Sequence, residues 1–247
     1  MSLMGPSLGG DPWTTYNVYL GDVAPLQMFY SATLGYEPIP EIEFGITGSA
    51  TNNISGPVTG ITGNIYTPNF VFFDPGIYLK FPKLIQIPGW YVTTTVSFLF
   101  PLTDASQEIG RVLSFTFNQN WGIDLNPSNW TFGCTLFLNP QFYAGELPAG
   151  FGYRQTFVGA LGPYLGYRLS DYVTVQASTV FDFDHRSPDQ PGWLELGPNL
   201  DDRARLSVSV TPNVYPYYMA IGGYFQMLLD DPSWDTSIVG ADFTIGF

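Results

Sequence analysis

This sequence of 247 residues lacks several features on which other protein classes depend. A single cysteine, Cys134, excludes an intrachain disulfide framework. No apolar run approaches the roughly 18 residues of a membrane-spanning helix. Charged residues make up only 12% of the chain, about half their usual share in soluble domains. The composition therefore argues against a disulfide-rich domain, a helical membrane protein and an ordinary soluble surface.

Basic residues are also scarce, since 8 Lys and Arg stand against 21 Asp and Glu for a formal net charge of −13. Proteins bind nucleic acids through basic surfaces, so we expect no nucleic-acid partner. Aromatic side chains are abundant instead, at 17% of the chain. The 27 glycines and 21 prolines fall mainly between periodic segments, where they indicate turns.

Apolar and polar residues alternate along most of the chain with the two-residue period of β-strands. Val173 and Val175, for example, share one face of segment 171–183, and Thr174 and Gln176 share the other. The candidate strands are 14–21, 26–35, 39–47, 66–80, 90–101, 111–119, 131–139, 155–168, 171–183, 203–214, 217–228 and a last strand ending at Phe247. Short and long connections alternate between them. The pattern predicts an antiparallel meander of twelve strands, or ten if the weak N-terminal pair is dropped.

Two all-β folds have this alternation, and they differ in which solvent meets the apolar face. In a soluble, lectin-like sandwich the apolar face is the core, whereas in a membrane barrel it meets lipid. The polar faces here carry Thr, Ser, Gly, Gln and Asn, with few Lys or Glu. Such small polar side chains suit a narrow lumen better than a water-exposed sheet. The sequence therefore favours a transmembrane antiparallel up-and-down β-barrel, with residues 1–13 as an N-terminal extension and residues 14–247 as one domain.

The C-terminal segment "TSIVGADFTIGF" carries a more specific pattern. Val239, Ala241, Phe243 and Ile245 alternate with smaller or polar residues, and the chain closes on Phe247. This ending resembles the sorting signature of bacterial outer-membrane β-barrel proteins. The resemblance implies a bacterial outer-membrane location and insertion by the barrel-assembly machinery, which recognises the last strand.

Aromatic residues cluster at the predicted short-turn ends of the strands. Amphipathic rings favour the membrane–water interface, so we expect an aromatic belt there. The predicted belt consists of Trp90, Tyr91, Trp121, Trp130, Tyr167, Tyr172, Tyr215, Tyr217, Tyr218 and Phe247.

Strand parity places a small set of ionisable residues on the lumen side. A charge facing lipid at mid-depth would cost roughly 2–4 kcal/mol, so we expect these charges to face inward. The predicted pore-lining set is Glu41, Glu43, Asp74, Lys80, Arg168, Asp182, Arg203, Arg205 and Asp242. These residues either line an open polar pathway or form ion pairs that fill a small barrel, because ten to twelve strands lie between a filled and an open interior.

Three local features complete the reading. Pro163 and Pro75 each remove one donor from a predicted strand, so we expect bulges there. His185, in "FDFDHRSPD", is the only histidine and the only position for imidazole-based catalysis. An outer-membrane hydrolase centred on His185 is therefore one alternative function, although we expect no enzyme activity, catalytic residue, metal or cofactor.

The sequence as a whole predicts a passive channel, or porin, for small solutes. Its acidic balance favours cations or neutral solutes over anions. A non-transport structural or adhesion barrel with a plugged lumen is the other alternative. The expected partners are outer-membrane lipid, small solutes, the barrel-assembly machinery and lipopolysaccharide, which acidic loops such as Asp201–Asp202 could bridge through divalent cations.

Overall fold

The computed structural model describes thirteen stretches of the chain. They are residues 2–7, 16–17, 22–23, 27–53, 58–59, 65–66, 70–125, 127–147, 154–187, 203–210, 213–214, 217–228 and 238–246. These residues are almost entirely β-strand, with one five-residue helix, α1 (Asp104–Glu108). Within the described part, no helix is long and apolar enough to cross a membrane.

Twelve strands of six or more residues occur in the described part. They are β1 (Ser2–Ser7), β2 (Gln27–Ile39), β3 (Ile42–Asn53), β4 (Gly76–Ile87), β5 (Trp90–Leu99), β6 (Arg111–Leu125), β7 (Trp130–Tyr143), β8 (Arg154–Arg168), β9 (Val173–Ser187), β10 (Arg203–Val210), β11 (Tyr217–Leu228) and β12 (Ile238–Gly246). Shorter ladders are formed by Tyr16–Asn17 with Asp22–Val23 and by Val58–Thr59 with Ile65–Tyr66, while Phe70–Phe72 pairs with β3 and Asn213–Val214 with β11.

The sheet is an antiparallel meander in which each strand from β2 to β10 pairs with the next along the chain. Tight turns make this possible: two residues connect β4 to β5, and Gly89 has a φ of 79° there. A positive φ suits glycine because it has no Cβ to clash with the backbone. Long connections follow at the other end of the strands, as the sequence predicts.

The first and last strands extend the same sheet. β10 pairs with β11, and β11 pairs with β12. β1 pairs with β12 on one side and with β2 on the other. β1 lies within the segment 1–13 that the sequence marks as an extension. The predicted strand 14–21 falls mostly outside the described residues.

The predictions made for the prolines are only partly right. The predicted bulge at Pro163 is wrong, because Pro163 pairs with Cys134 in an unbroken register with β7. On the other side, the register between β8 and β9 is the same before and after Pro163, so no residue is inserted there. Only Gly162 and Pro163 are unpaired with β9, because proline has no N–H to donate. At Pro75 the predicted strand 66–80 is interrupted, because residues 73–75 are not strand and the next strand begins at Gly76, so a break lies where a bulge was predicted.

An irregularity that the sequence did not reveal lies at Pro82 in β4. The register against β5 shifts between Val92 and Thr94, and Thr93 donates its hydroxyl to the Pro82 carbonyl at 3.1 Å. The shift interrupts the alternation of apolar and polar residues in β4. For this reason the sequence pattern predicts a strand only as far as Lys80, whereas β4 continues to Ile87.

The apolar face of the sheet is the exposed face. Leu34, Ile46, Ile77, Phe132 and Leu165 are between 44% and 71% exposed. The opposite face, called the polar face below, holds side chains that are buried: Tyr78, Ser97, Ser114, Gln141 and Tyr164. This is the reverse of a soluble sandwich, in which apolar side chains fill a dry centre.

The pairing of β1 with β12 can be tested by cross-linking. Leu3 lies opposite Ala241, and opposing Cβ atoms are about 4.5–5.5 Å apart, within reach of a disulfide after small adjustment. In a Cys134→Ala background, Leu3→Cys with Ala241→Cys should oxidise to a single internal disulfide, seen by non-reducing electrophoresis and peptide mass spectrometry.

The matched control is Leu3→Cys with Phe243→Cys, which separates the thiols by one diagonal step of about 7–8 Å. That pair should oxidise much less. Equal oxidation of both pairs would contradict the register.

Candidate functional site

The polar face contains a compact ion pair between neighbouring strands. Glu43 of β3 lies opposite Lys80 of β4, and Lys80 Nζ is 2.7 Å from Glu43 Oε2. The Tyr78 hydroxyl donates to Glu43 Oε1 at 2.6 Å. Gly35 leaves the space for this arrangement, because a Cβ there would collide with the Tyr78 hydroxyl. The carboxylate is therefore neutralised locally by groups on one side of the sheet.

Two tyrosines lie along the polar face and meet over intervening strands. Tyr91 of β5 covers Gly122 of β6, and Tyr164 of β8 covers Gly133 of β7. Their hydroxyl oxygens are 2.6 Å apart, and the Tyr164 hydroxyl lies 3.2 Å from Asn120 Oδ1. A Cβ at either glycine would collide with the tyrosine ring above it. The glycines thus allow both rings to lie against the sheet instead of standing away from it.

Amide and hydroxyl side chains occupy the polar face nearer the long connections. Gln141 donates to Asn139 Oδ1 at 3.0 Å, and the Tyr143 hydroxyl is 2.8 Å from both Gln141 Oε1 and the Gln155 carbonyl. These contacts satisfy polar groups without placing a net charge among them.

Asp74 organises the connection that contains α1. It accepts hydrogen bonds from the Thr103 N–H at 3.1 Å, from the Thr103 hydroxyl at 2.8 Å and from the Ser106 hydroxyl. Arg111 Nη1 lies 3.3 Å from Asp74 Oδ2. Burial raises the pKa of Asp74, but the hydrogen bonds and the Arg111 charge outweigh burial, so this pKa lies below its usual value. The carboxylate stays ionised and holds the loop in place.

Arg154 fixes the neighbouring connection through backbone carbonyls. Its guanidinium donates to the carbonyls of Ile109, Gly145 and Glu146 at 3.0, 2.8 and 2.6 Å. It also lies over the Tyr143 ring, 5.2 Å from the centroid. Asp74 and Arg154 together tie down the connections at this end of β5–β8, which is called the rim below.

The predicted pore-lining residues separate into four groups. Glu43 and Lys80 form the ion pair, and Asp74 belongs to the loop cluster with Arg111, a residue that the sequence did not single out. Glu41 lies exposed in the turn between β2 and β3, and Arg168 lies exposed at the end of β8. Backbones of the remaining four lie in strands, but their side chains are outside the described part: Asp182, Arg203, Arg205 and Asp242.

The predicted aromatic belt is partly visible at the short-turn end. Trp130 packs on Tyr167 with ring centroids 4.7 Å apart, and Trp90, Trp121 and Tyr172 are exposed. Tyr91 requires a correction, since it lies on the polar face with Tyr164. Tyr215 and Phe247 are outside the described residues, as are the side chains of Tyr217 and Tyr218.

His185 contacts a hydroxyl on the adjacent strand. Its Nδ1 lies 2.6 Å from Thr156 Oγ1, and the register of β8 against β9 shifts between Gln155 and Phe157, around Thr156. The neighbouring Asp184 side chain is outside the described part. The contact joins β8 to β9.

Among the described residues, no group of three or more His, Cys, Asp or Glu side chains could hold a metal ion. No protein-family model matches the chain, and no curated protein matches it either.

The tyrosine bridge predicts a sharp difference between two glycines of the polar face. Gly133→Ala places a Cβ against both the Tyr164 ring and the Trp121 carbonyl, whereas Gly166→Ala meets nothing closer than 3.7 Å. The first variant should lose about 1–3 kcal/mol of unfolding free energy through overpacking. The second should change it by less than about 0.5 kcal/mol.

The measurement is reversible urea unfolding in detergent or lipid, followed by tryptophan fluorescence. Equal effects of the two alanines would contradict the packing of Tyr164 over Gly133.

Proposed function

We propose that this chain is a bacterial outer-membrane β-barrel that acts as a passive channel for small solutes. The strand pairings support closure of the sheet: β1 joins β12 to β2, and β11 joins β10 to β12. In hydrocarbon every backbone N–H and C=O needs an internal partner, so a spanning sheet must close on itself. A closed meander of twelve strands also has no free edge for aggregation.

The stagger of the paired residues fits such a barrel. Followed from strand to strand, the registers shift by about sixteen residues over the twelve strands. With a rise of about 3.3 Å per residue and a strand spacing of about 4.8 Å, this corresponds to a tilt of about 40°. Transmembrane barrels have tilts of about 35–45°. The same geometry gives a backbone radius of about 12 Å.

The single observation that carries the membrane proposal is the exposed apolar face. Residues such as Leu34, Ile46 and Phe132 are about half exposed or more, while polar and tyrosine side chains are buried on the other face. A continuous apolar surface of this size would be unfavourable in water on a monomeric protein. Acyl chains would cover it without cost.

The ends of the strands fit a membrane interface. The Trp130–Tyr167 pair and exposed Trp90 and Tyr172 lie by the short turns, where amphipathic rings would meet lipid headgroups. β12, with its alternating apolar residues, is the segment that the barrel-assembly machinery would recognise. The long connections would then face outward, where acidic loops could bridge to lipopolysaccharide through divalent cations.

The arrangement of the polar face favours an open channel over a plugged barrel. Glu43 and Lys80 pair along the wall from adjacent strands, so they do not need to reach across the interior. Tyr91 and Tyr164 lie flat over glycines. In a closed barrel, side chains that lie along the wall would leave the centre free for water and solute.

The lipid-facing assignment predicts that lysine destabilises the barrel by different amounts at two adjacent residues of β8. Leu161 is exposed on the apolar face, and Ala160 is on the other side. Leu161→Lys should destabilise the barrel in a bilayer by about 2–4 kcal/mol, because it places a charge in lipid. Ala160→Lys should cost clearly less, since its ammonium would meet the aqueous interior.

The measurement is the free energy of unfolding from phospholipid vesicles for both variants. A larger loss for Ala160→Lys would reverse the assignment of the two faces.

The channel itself is tested by reconstitution of the refolded chain. In planar bilayers it should give stepwise ohmic conductance, and in liposomes it should let small solutes enter. Heat-modifiable gel mobility establishes that the protein is folded, and protein-free detergent is the control. A folded, inserted protein with no conductance and no solute entry would favour the plugged structural barrel.

A further inference from the structure

From the lining of the polar face, we infer that the channel passes uncharged, hydroxyl-rich solutes such as small saccharides and polyols, with little preference for either sign of ion. The inference rests on the proposed channel and narrows its substrate class. It departs from the cation preference that the formal charge of −13 suggests.

The polar face is lined mainly by neutral donors and acceptors. Side chains such as Thr95, Ser97, Thr116, Asn118 and Gln176 lie on it, at register positions that alternate with the exposed apolar residues. Hydroxyls donate and accept, and amides do both with separate atoms. A solute rich in hydroxyl groups can replace its hydrogen bonds to water with hydrogen bonds to these side chains, and no charged group is needed.

Two contact pairs of opposite charge lie on this face or at its rim, and Asp124, also on this face, accepts a hydrogen bond from the Thr131 hydroxyl. Lys80 lies 2.7 Å from Glu43, and at the rim Arg111 lies 3.3 Å from Asp74. A contact pair has a field that falls off faster than that of a single charge, and salt screens it further. No described pair therefore offers an ion a free counter-charge along the strands.

Four further charged residues occupy register positions on this face, although their side chains are outside the described part, and their charges are also balanced in sign. Asp182 and Asp242 contribute two acids, and Arg203 and Arg205 contribute two bases. The excess of acidic residues in the whole chain is thus not concentrated at these positions.

Tyr91, which is partly exposed beside the buried Tyr164, adds an aromatic surface suited to a sugar ring. Tyr91 and Tyr164 lie against the wall with their hydroxyls joined and Asn120 beside them. An aromatic face next to hydroxyl and amide groups matches a ring that has apolar C–H groups on one side and hydroxyls at its edge. An ion would gain little there for the hydration that it loses.

The experiment compares ion selectivity with sugar entry in four proteins: the unmodified chain, Lys80→Met, Glu43→Gln and the double variant. Selectivity is the K⁺/Cl⁻ permeability ratio from the reversal potential in a KCl gradient. Sugar entry is the swelling rate of proteoliposomes in isosmotic arabinose or glucose. Heat-modifiable mobility confirms that each variant is folded.

For the unmodified chain we expect a permeability ratio within about threefold of unity and rapid swelling in both sugars. Lys80→Met leaves the Glu43 charge unpaired and should raise the ratio at least about threefold, whereas Glu43→Gln should lower it by a similar factor. The double variant removes both charges and should return the ratio close to unity.

Two failures are distinguishable. Strong cation selectivity of the unmodified chain, with conductance but no swelling in sugars, would overturn this inference and leave the channel standing. Folded protein with neither conductance nor swelling in any solute would remove the proposed channel, and this inference with it.

Discussion

Hydrogen bonding between adjacent strands is the interaction on which the rest of this structure depends. The described part has few buried apolar side chains, among them Ala50, Val92 and Cys134, so no dry centre holds the sheet together. Each strand instead exchanges backbone hydrogen bonds with the strands beside it. Because the backbone satisfies its own polar groups, the two faces are free to take opposite characters, one apolar and exposed, the other polar and buried.

On the polar face, small residues allow large side chains to lie against the sheet. Glycines at 35, 122 and 133 receive the Tyr78 hydroxyl and the rings of Tyr91 and Tyr164, and these tyrosines spread over neighbouring strands. The same side chains tie strands together: Tyr78 to Glu43, and Tyr91 to Tyr164. Packing and hydrogen bonding between strands therefore come from one arrangement.

The two ends of the sheet are built differently. Tight turns and exposed aromatic rings mark one end, while longer connections mark the other. On the latter side, Asp74 holds the loop of α1, and Arg154 binds four carbonyls of two connections. These contacts tie the connections together even though their segments have no regular strand pairing.

The sequence by itself determined most of the strands and their antiparallel order, because a two-residue period follows from the pleat of a single strand, although it placed β1 in an extension. The scarcity of charge on the polar faces, and not the period, favoured an exposed apolar face. Only the tertiary structure decided which polar groups meet. Glu43 lies opposite Lys80, Arg111 reaches Asp74, and Tyr91 turns to Tyr164, because register joins residues far apart in the chain. Pro82 shows the same limit, since one local irregularity shifts the alternation on which the prediction relied. Periodicity is a local property, whereas pairing depends on the neighbouring strand.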